Sequence, residues 1–248
     1  MDFVGKTAVV TGAASGIGRA TAVGFGKEGA NVALLDVNAD RAQEIAEQID
    51  SSGGTTMVCP VDMTEPATVR DALHAAYARF GRIDALANVA GIYPSAPVLD
   101  VTEELWDRIE SINTRGVFFC CQEAIRIMVA QGSGAIVNVA SGSAFRPTPG
   151  LAAYCASKAG VVGFTRVLVM EFARTGVRIN VVAPGLTKSE TLVSTHGEER
   201  IDEMAAGLVT GRYVTPEENA NAILWLCSDK ASGVNGATIF VNAGNIMF

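Results

Sequence analysis

The sequence predicts an α/β fold: a doubly wound parallel sheet of seven strands with helices on both faces. Three observations lead there. Short β-branched runs recur along the 248 residues with longer stretches of helical spacing between them. Inside the runs successive residues are apolar, as in strands covered on both faces, where a half-exposed strand would alternate. A glycine-rich turn follows the first run at once and opens a helix.

The runs come in the order "KTAVVT" (6–11), "NVALLD" (31–36), "TTMVCPV" (55–61), "DALANV" (84–89), "GAIVNVAS" (134–141), "RINVVAP" (178–184) and "ATIFVN" (237–242). After the first, "TGAASGIG" leads into the helical stretch "RATAVGFGKEG". The last helix is marked most clearly, because "TPEENANAILWLCS" offers Thr215 as N-cap, Pro216 at the first helical position and Glu218 to complete a capping box. Its apolar positions Ala222, Ile223, Leu226 and Cys227 follow helical spacing. Residues 188–213, with "STHGEER", are weakly patterned and read as a mobile flap with one or two short helices. No repeat or composition break divides the chain, so residues 1–248 are expected to form one domain.

Composition narrows the function. Half the residues are apolar and 18% are charged, which excludes disorder, and no apolar run approaches the ~20 residues that cross a bilayer. The opening "MDFVGKTAVVTG" lacks a basic head and a long apolar stretch, so no signal peptide and a cytoplasmic location are expected. Cys59, Cys120, Cys121, Cys155 and Cys227 are odd in number and lack metal-ligand spacing; they read as reduced, mostly buried residues. With His74 and His196 the only histidines, no metal site is expected. A net charge of -7 without a basic cluster disfavours nucleic acid.

The glycine turn carries the first functional signal. Gly12, Gly16 and Gly18, with Ser15 and Ile17 between them, allow close backbone approach to a pyrophosphate, whose charge meets the helix N-terminus. The second run ends in Asp36, 18 residues past Gly18. Its carboxylate can accept hydrogen bonds from ribose hydroxyls and would repel a 2'-phosphate. Neighbouring Val37 and Asn38 offer no cation, and Ser15 stands where a basic residue could help, so NAD is expected over NADP.

"YCASK" places Tyr154 one helical turn from Lys158. A phenol with an ordinary pKa of about 10 needs a nearby cation if it is to give up its proton near neutrality. By themselves the five residues are better read as a packed tyrosine beside a solvated lysine. Taken with "TGAASGIG", "NVAG" (88–91), Asn113, Ser141, and Pro184 with Gly185, they resemble the single-domain short-chain dehydrogenase/reductase family over essentially the whole chain. Ser141, thirteen residues before Tyr154, is the most specific part of the match.

The resemblance implies a Rossmann-type fold and an NAD-dependent oxidoreductase that interconverts a secondary alcohol and a ketone. It makes Tyr154 the acid/base, Lys158 the cation that stabilises its phenolate and reaches the nicotinamide ribose, and Ser141 the hydrogen-bonding partner of the substrate oxygen. Asn113 resembles a helix-interrupting asparagine whose carbonyl holds a water linking Lys158 to solvent. Asp62 and Met63 resemble residues at the adenine, Asn88 supports the fourth strand and the adenosine side, and Thr187 would meet the carboxamide. The family also implies a homotetramer built partly on the helices holding Asn113 and Tyr154, where Val117, Phe119, Val161 and Phe164 could face outward.

Two departures stand out. The family often has Asn-Asn-Ala-Gly where this chain has Asn88, Val89, Ala90 and Gly91, and an Asp-Gly-Gly end where it has "VNAG". Residues expected around the substrate, among them Ile92, Tyr93, Phe145, Leu151, Leu186 and Leu192, are mostly apolar and suit a small hydrophobic, cyclic or aromatic alcohol or ketone. A 3-oxoacyl-carrier-protein reductase is the rival within the family. The acidic chain and the turn "MVAQGSGA", which has no basic residue, oppose it. A protein that holds NAD without turnover is the rival from another class, and the intact Ser/Tyr/Lys set opposes that.

Overall fold

The structure is a computed structural model that describes residues 2–247; the side chain of His196 lies outside the described residues. Seven strands form one sheet: β1 (Thr7–Thr11), β2 (Asn31–Asp36), β3 (Thr55–Pro60), β4 (Ala85–Asn88), β5 (Gly134–Val139), β6 (Val177–Pro184) and β7 (Thr238–Val241). Their order is β3-β2-β1-β4-β5-β6-β7, and every pairing is parallel. Each coincides with one of the seven runs, because a continuous apolar run with polar or glycine borders fits a strand buried on both faces.

The crossover helices are α1 (Gly16–Lys27), α2 (Ala39–Ser51), α3 (Pro66–Phe80), α4 (Glu103–Glu110), α5 (Val117–Gln131), α6 (Ala152–Phe172), α7 (Glu190–His196), α8 (Glu198–Ala206) and α9 (Pro216–Cys227). Alternate strand residues point into separate cores. Ala8 and Val10 of β1 meet Phe25, Ile45, Ile49 and Ile223 from α1, α2 and α9, while Val9 meets Leu73, Cys121, Ile125 and Leu168 from α3, α5 and α6. That division is the double winding. Helix α9 starts on the expected capping box, with both reciprocal bonds made between Thr215 and Glu218. The flap holds two short helices, α7 and α8, parted at Gly197.

Val117 and Val161 are 1% and 0% exposed and belong to the core, which corrects the outward placement considered from helical spacing. Spacing gives the width of an apolar stripe and not its phase, and the sheet claims that stripe here. The outward apolar residues of α6 are Val167 and Met170. The four cysteines Cys59, Cys120, Cys121 and Cys227 are buried and all five are free. No helix of the described residues is long and apolar enough to cross a membrane.

The departure at "VNAG" has a backbone consequence. Ala243 is the one non-glycine residue with positive φ among the described residues, at 50°. A side chain there crowds the following carbonyl. Ala243→Gly is therefore expected to stabilise the protein by ~0.5–1 kcal/mol, less than the full relief because glycine also gains freedom when unfolded, and a denaturant midpoint would read it.

Candidate active site

Chain order reverses between β1 and β4, so the crevice for a ligand in such a sheet opens beyond their carboxyl ends. Gly12 follows β1 at φ 67°, and a Cβ there would lie 2.9 Å from the Cα of Ala90, after β4. The two loops thus meet backbone to backbone. A Cβ at Gly18 would lie 1.9 Å from the Gly12 carbonyl oxygen, so the turn closes only with glycine at that position. Ser15 caps α1 with extended backbone and makes no side-chain cap bond. Its hydroxyl and the first amides of α1, which have no partners within the helix, form a donor set that fits a pyrophosphate.

Asp36 ends β2 beside this turn. One carboxylate oxygen accepts from the Ala14 amide at 2.9 Å and the other from the Asn38 amide at 2.9 Å. These two bonds fix the carboxylate against the glycine loop, where an adenosine ribose would meet it. The structure adds cations that the sequence argument did not count. Arg41 is influenced by Asp36, and Arg41 and Arg19 both pair with Glu190, the first residue of α7. The flap therefore crosses the cofactor crevice and ties to both α1 and α2. These pairs are half-exposed, so each contributes at most about 1 kcal/mol and weakens with salt.

The other expected cofactor residues are placed as follows. Asp62 accepts from the Thr64 amide and hydroxyl in a short turn after β3, and Met63 is buried against Gly116. Asn88 lies in the core, donating to Asn138 at 2.8 Å and Cys121 at 3.2 Å, so its side chain ties β4 to β5 and α5. Thr187 donates to the Gly185 carbonyl and accepts from Asn219, which turns its hydroxyl into the protein, while its carbonyl accepts from the Ser189 amide at 2.8 Å. In the Asn88 departure, Val89 packs on the core and its amide donates to Thr11 Oγ1, which holds the end of β4.

Ser141, Tyr154 and Lys158 converge beyond β5. Ser141 is 8% exposed; its Oγ accepts from the Ser143 amide and lies close enough to the Tyr154 phenol to favour its ionised form. Lys158, 3% exposed, donates from Nζ to the Val139 carbonyl at 2.8 Å and lies 6.0 Å from the centre of the Tyr154 ring. Burial pushes the Tyr154 phenol up to about 12, although the nearby Ser141 hydroxyl opposes it. Burial also lowers Lys158 to about 8. In the protein alone, desolvation thus governs both groups, and Lys158 does not bring the phenol down to neutrality.

Asn113 sits at the centre of a π-helical turn, Ser111–Gly116, between α4 and α5. Its side chain brackets Ile92, accepting from the amide at 2.9 Å and donating to the carbonyl at 2.8 Å, and donates to Ser157 at 3.1 Å. Asn113 thereby fixes the loop after β4 against the helix that carries Lys158. The turn is an irregularity of the kind that often lies at functional sites.

Several contacts at the site could not be read from the sequence. Tyr93 stacks edge-on to Tyr154 with ring centres 6.2 Å apart. Ser189 caps α7 and its Cβ would lie 3.3 Å from a Cβ on Gly16. The C-terminal segment also reaches the site, with the Ile246 side chain against Gly142 and Arg146 holding Asn245. These pairings span 61 to 173 residues and carry no local pattern. Phe145, expected at the substrate, packs edge-on to Phe240 of β7. Among the described residues no group of three or more His, Cys, Asp or Glu could hold a metal ion.

Comparison with known proteins agrees with this geometry. The family model described as Enoyl-(Acyl carrier protein) reductase matches residues 12–245. A D-threitol dehydrogenase of Mycolicibacterium smegmatis is 40% identical over 240 residues, covering 97% of this chain and 92% of the relative. A 3-oxoacyl-[acyl-carrier-protein] reductase of Thermotoga maritima is 36% identical over the full length of both chains. The crystal structure of levodione reductase superposes with a TM-score of 0.94 at 32% identity, covering 98% of each chain. A glycine loop at the switch point, a Ser/Tyr/Lys cluster beyond β5 and these full-length matches place the chain in the short-chain dehydrogenase/reductase family of oxidoreductases.

Proposed function

We propose that the chain is an NAD(H)-dependent enzyme that interconverts a secondary alcohol and a ketone on a small, largely hydrophobic molecule. The observation that carries this reading is the cluster of buried Ser141 and Lys158 with half-buried Tyr154 beside a dinucleotide crevice. A bound nicotinamide supplies the site that accepts or returns hydride. Gly12, Ser15, Gly16, Ile17 and Gly18 would hold its pyrophosphate, Asp36 its adenosine ribose, Asp62 and Met63 its adenine side, and Thr187 its carboxamide.

The chain's own residues do the proton work. Ser141 donates to the substrate oxygen and holds it against the Tyr154 hydroxyl. In oxidation Tyr154 takes the carbinol proton, and in reduction it gives that proton back. Lys158, the nearest cation, favours the ionised phenol, and Asn113 keeps the Lys158 helix and the Ile92 loop in register. Because burial holds Tyr154 high, a positively charged nicotinamide near the phenol adds attraction that the protein alone lacks.

NAD is preferred in this reading because the Asp36 carboxylate faces the ribose while Glu190 engages Arg41 and Arg19. Asp36→Ala should narrow the NAD/NADP preference at least tenfold, read as the ratio of kcat/KM values. Equal use of the two cofactors by the unmodified protein would refute the assignment.

We also place the enzyme in the cytoplasm as a homotetramer, with Phe118 and Phe119 of α5 and Val167 and Met170 of α6 on its outward face. Sedimentation at micromolar concentration should show a species near four times 25.8 kDa, whereas a monomer alone would count against it.

The second reading is acyl-carrier reduction, favoured by the names of several relatives. The turn from α5 into β5, Gln131 to Gly134, carries no basic residue to meet an acidic carrier. Following NADH absorbance with cyclic, aromatic and acyl-thioester substrates decides between them. Turnover of ketones on hydrophobic frames supports the first reading, turnover confined to acyl thioesters supports the second, and NAD binding without turnover of any would point to a sensor.

A further inference from the structure

The Tyr93 hydroxyl is a buried polar atom with no hydrogen-bond partner. Such groups are rare in native proteins, because the hydroxyl has lost water and gained nothing in return. Of the four side-chain atoms in this condition among the described residues, Thr7 Oγ1, Asn88 Oδ1 and Asn219 Oδ1 belong to strand or helix positions in the fold's interior, each on a residue 0 to 1% exposed. Tyr93 differs in its place. It stands on the loop after β4, its ring lies edge-on to Tyr154 at 6.2 Å, and its charge state acts on that of Tyr154. Asn113 clamps the preceding residue, Ile92, through two hydrogen bonds, so the position of this loop is fixed.

Burial pushes the Tyr93 phenol up; Ser189 and Thr191 on the flap oppose this from close by, but neither completes a hydrogen bond. The surface beside Tyr154 therefore carries a phenol and two alcohols, where the sequence suggested an apolar surface. A bare hydrocarbon frame would leave the phenol unsatisfied, whereas a substrate oxygen beside the reacting carbon would satisfy it.

We propose that the Tyr93 hydroxyl receives a second oxygen of the substrate, carried close to the reacting carbon, as in a vicinal diol or the corresponding hydroxyketone. This assignment rests on the alcohol/ketone reading above and deepens it: one oxygen is held by Ser141 and Tyr154, the other by Tyr93. A site that binds a hydroxyl through a buried polar group rejects the analogue lacking it, since the protein group is then stranded.

The test compares butane-2,3-diol with butan-2-ol, which share a carbon frame, in the complex with NADH. The reduced cofactor cannot accept hydride from either alcohol, so calorimetry reads binding alone. The unmodified protein should favour the diol by at least about tenfold, and in Tyr93→Phe, which keeps the ring contact with Tyr154, the ratio should fall to near one. A ratio near one in the unmodified protein, a ratio that survives in Tyr93→Phe, or no binding of either compound overturns the proposal. So does an equal loss for both compounds in Tyr93→Phe, the result expected if the phenol only anchors the flap. Parallel kinetics with NAD keep the two readings separable. A diol preference that depends on Tyr93 without hydride transfer from either compound would reject the alcohol/ketone reading and leave the Tyr93 assignment standing.

Discussion

Tyr154→Phe is expected to bind NAD as the unmodified protein does and to lose hydride transfer by about 10²–10⁴-fold, the usual range for a positioned acid/base. The substitution removes one oxygen and keeps the ring that stacks on Tyr93, so the fold and the pocket wall should survive. The loss should fall on kcat and kcat/KM together, because the missing proton acceptor matters in the transition state more than in the bound substrate.

Direction gives a second readout of the same group. Oxidation needs the phenolate, and burial holds the phenol at about 12 in the protein alone, so the oxidation rate of the unmodified enzyme should rise with pH through the neutral and alkaline range. Reduction needs the phenol, so its rate should be full at low pH and fall as pH rises through the apparent pKa of the complex. Near-normal turnover by the Phe variant on a confirmed substrate, or oxidation that slows with rising pH, would remove Tyr154 from the acid/base role.

The fold was legible because its signals are local. A run such as "NVALLD" meets its neighbours on both sides through residues of one kind, and Thr215 with Glu218 states a helix start within four positions. The candidate cluster was legible for a related reason: Tyr154 and Lys158 share one turn of α6, and Ser141 lies two residues past β5. What could not be read depends on long-range placement. Glu190 reaches Arg19 and Arg41 across 171 and 149 residues, and Ile246 returns to Gly142. The environment of Tyr93 was also hidden, since its neighbours Ser189 and Thr191 come from a flap with little pattern. Phase failed as well: Val117 and Val161 carry the right spacing for an outward stripe, but the sheet claims them.

Lys158→Met is expected to abolish activity and, at pH 7, to make the protein more stable. Lys158 is 3% exposed and its one described hydrogen bond goes to the Val139 carbonyl. Burial lowers it from 10.5 to about 8, which corresponds to ~3 kcal/mol of penalty on the ammonium. Methionine has a similar length and no charge, so it removes that penalty. Losing the bond to Val139 returns about 1–2 kcal/mol, leaving a net gain of ~1–2 kcal/mol.

The sign of the pH dependence separates this cause from ordinary repacking. Below about 8 both folded and unfolded chains carry the proton, and the full penalty is present. Between about 8 and 10.5 the unfolded chain still holds a proton that the folded chain has released, so stability of the unmodified protein rises with pH relative to the variant. The advantage of methionine should therefore shrink through that window and vanish above it, leaving the lost hydrogen bond as a small deficit. Denaturant titrations of both proteins at pH 7, 9 and 10.5 would measure it. A variant less stable at pH 7, or a difference constant across the three, would mean that the buried ammonium is not under the strain described. If the gap closes as expected, the fold keeps a destabilising charge beside Tyr154 at a place where only the reaction uses it, which is the trade between stability and activity seen where catalytic groups are held out of water.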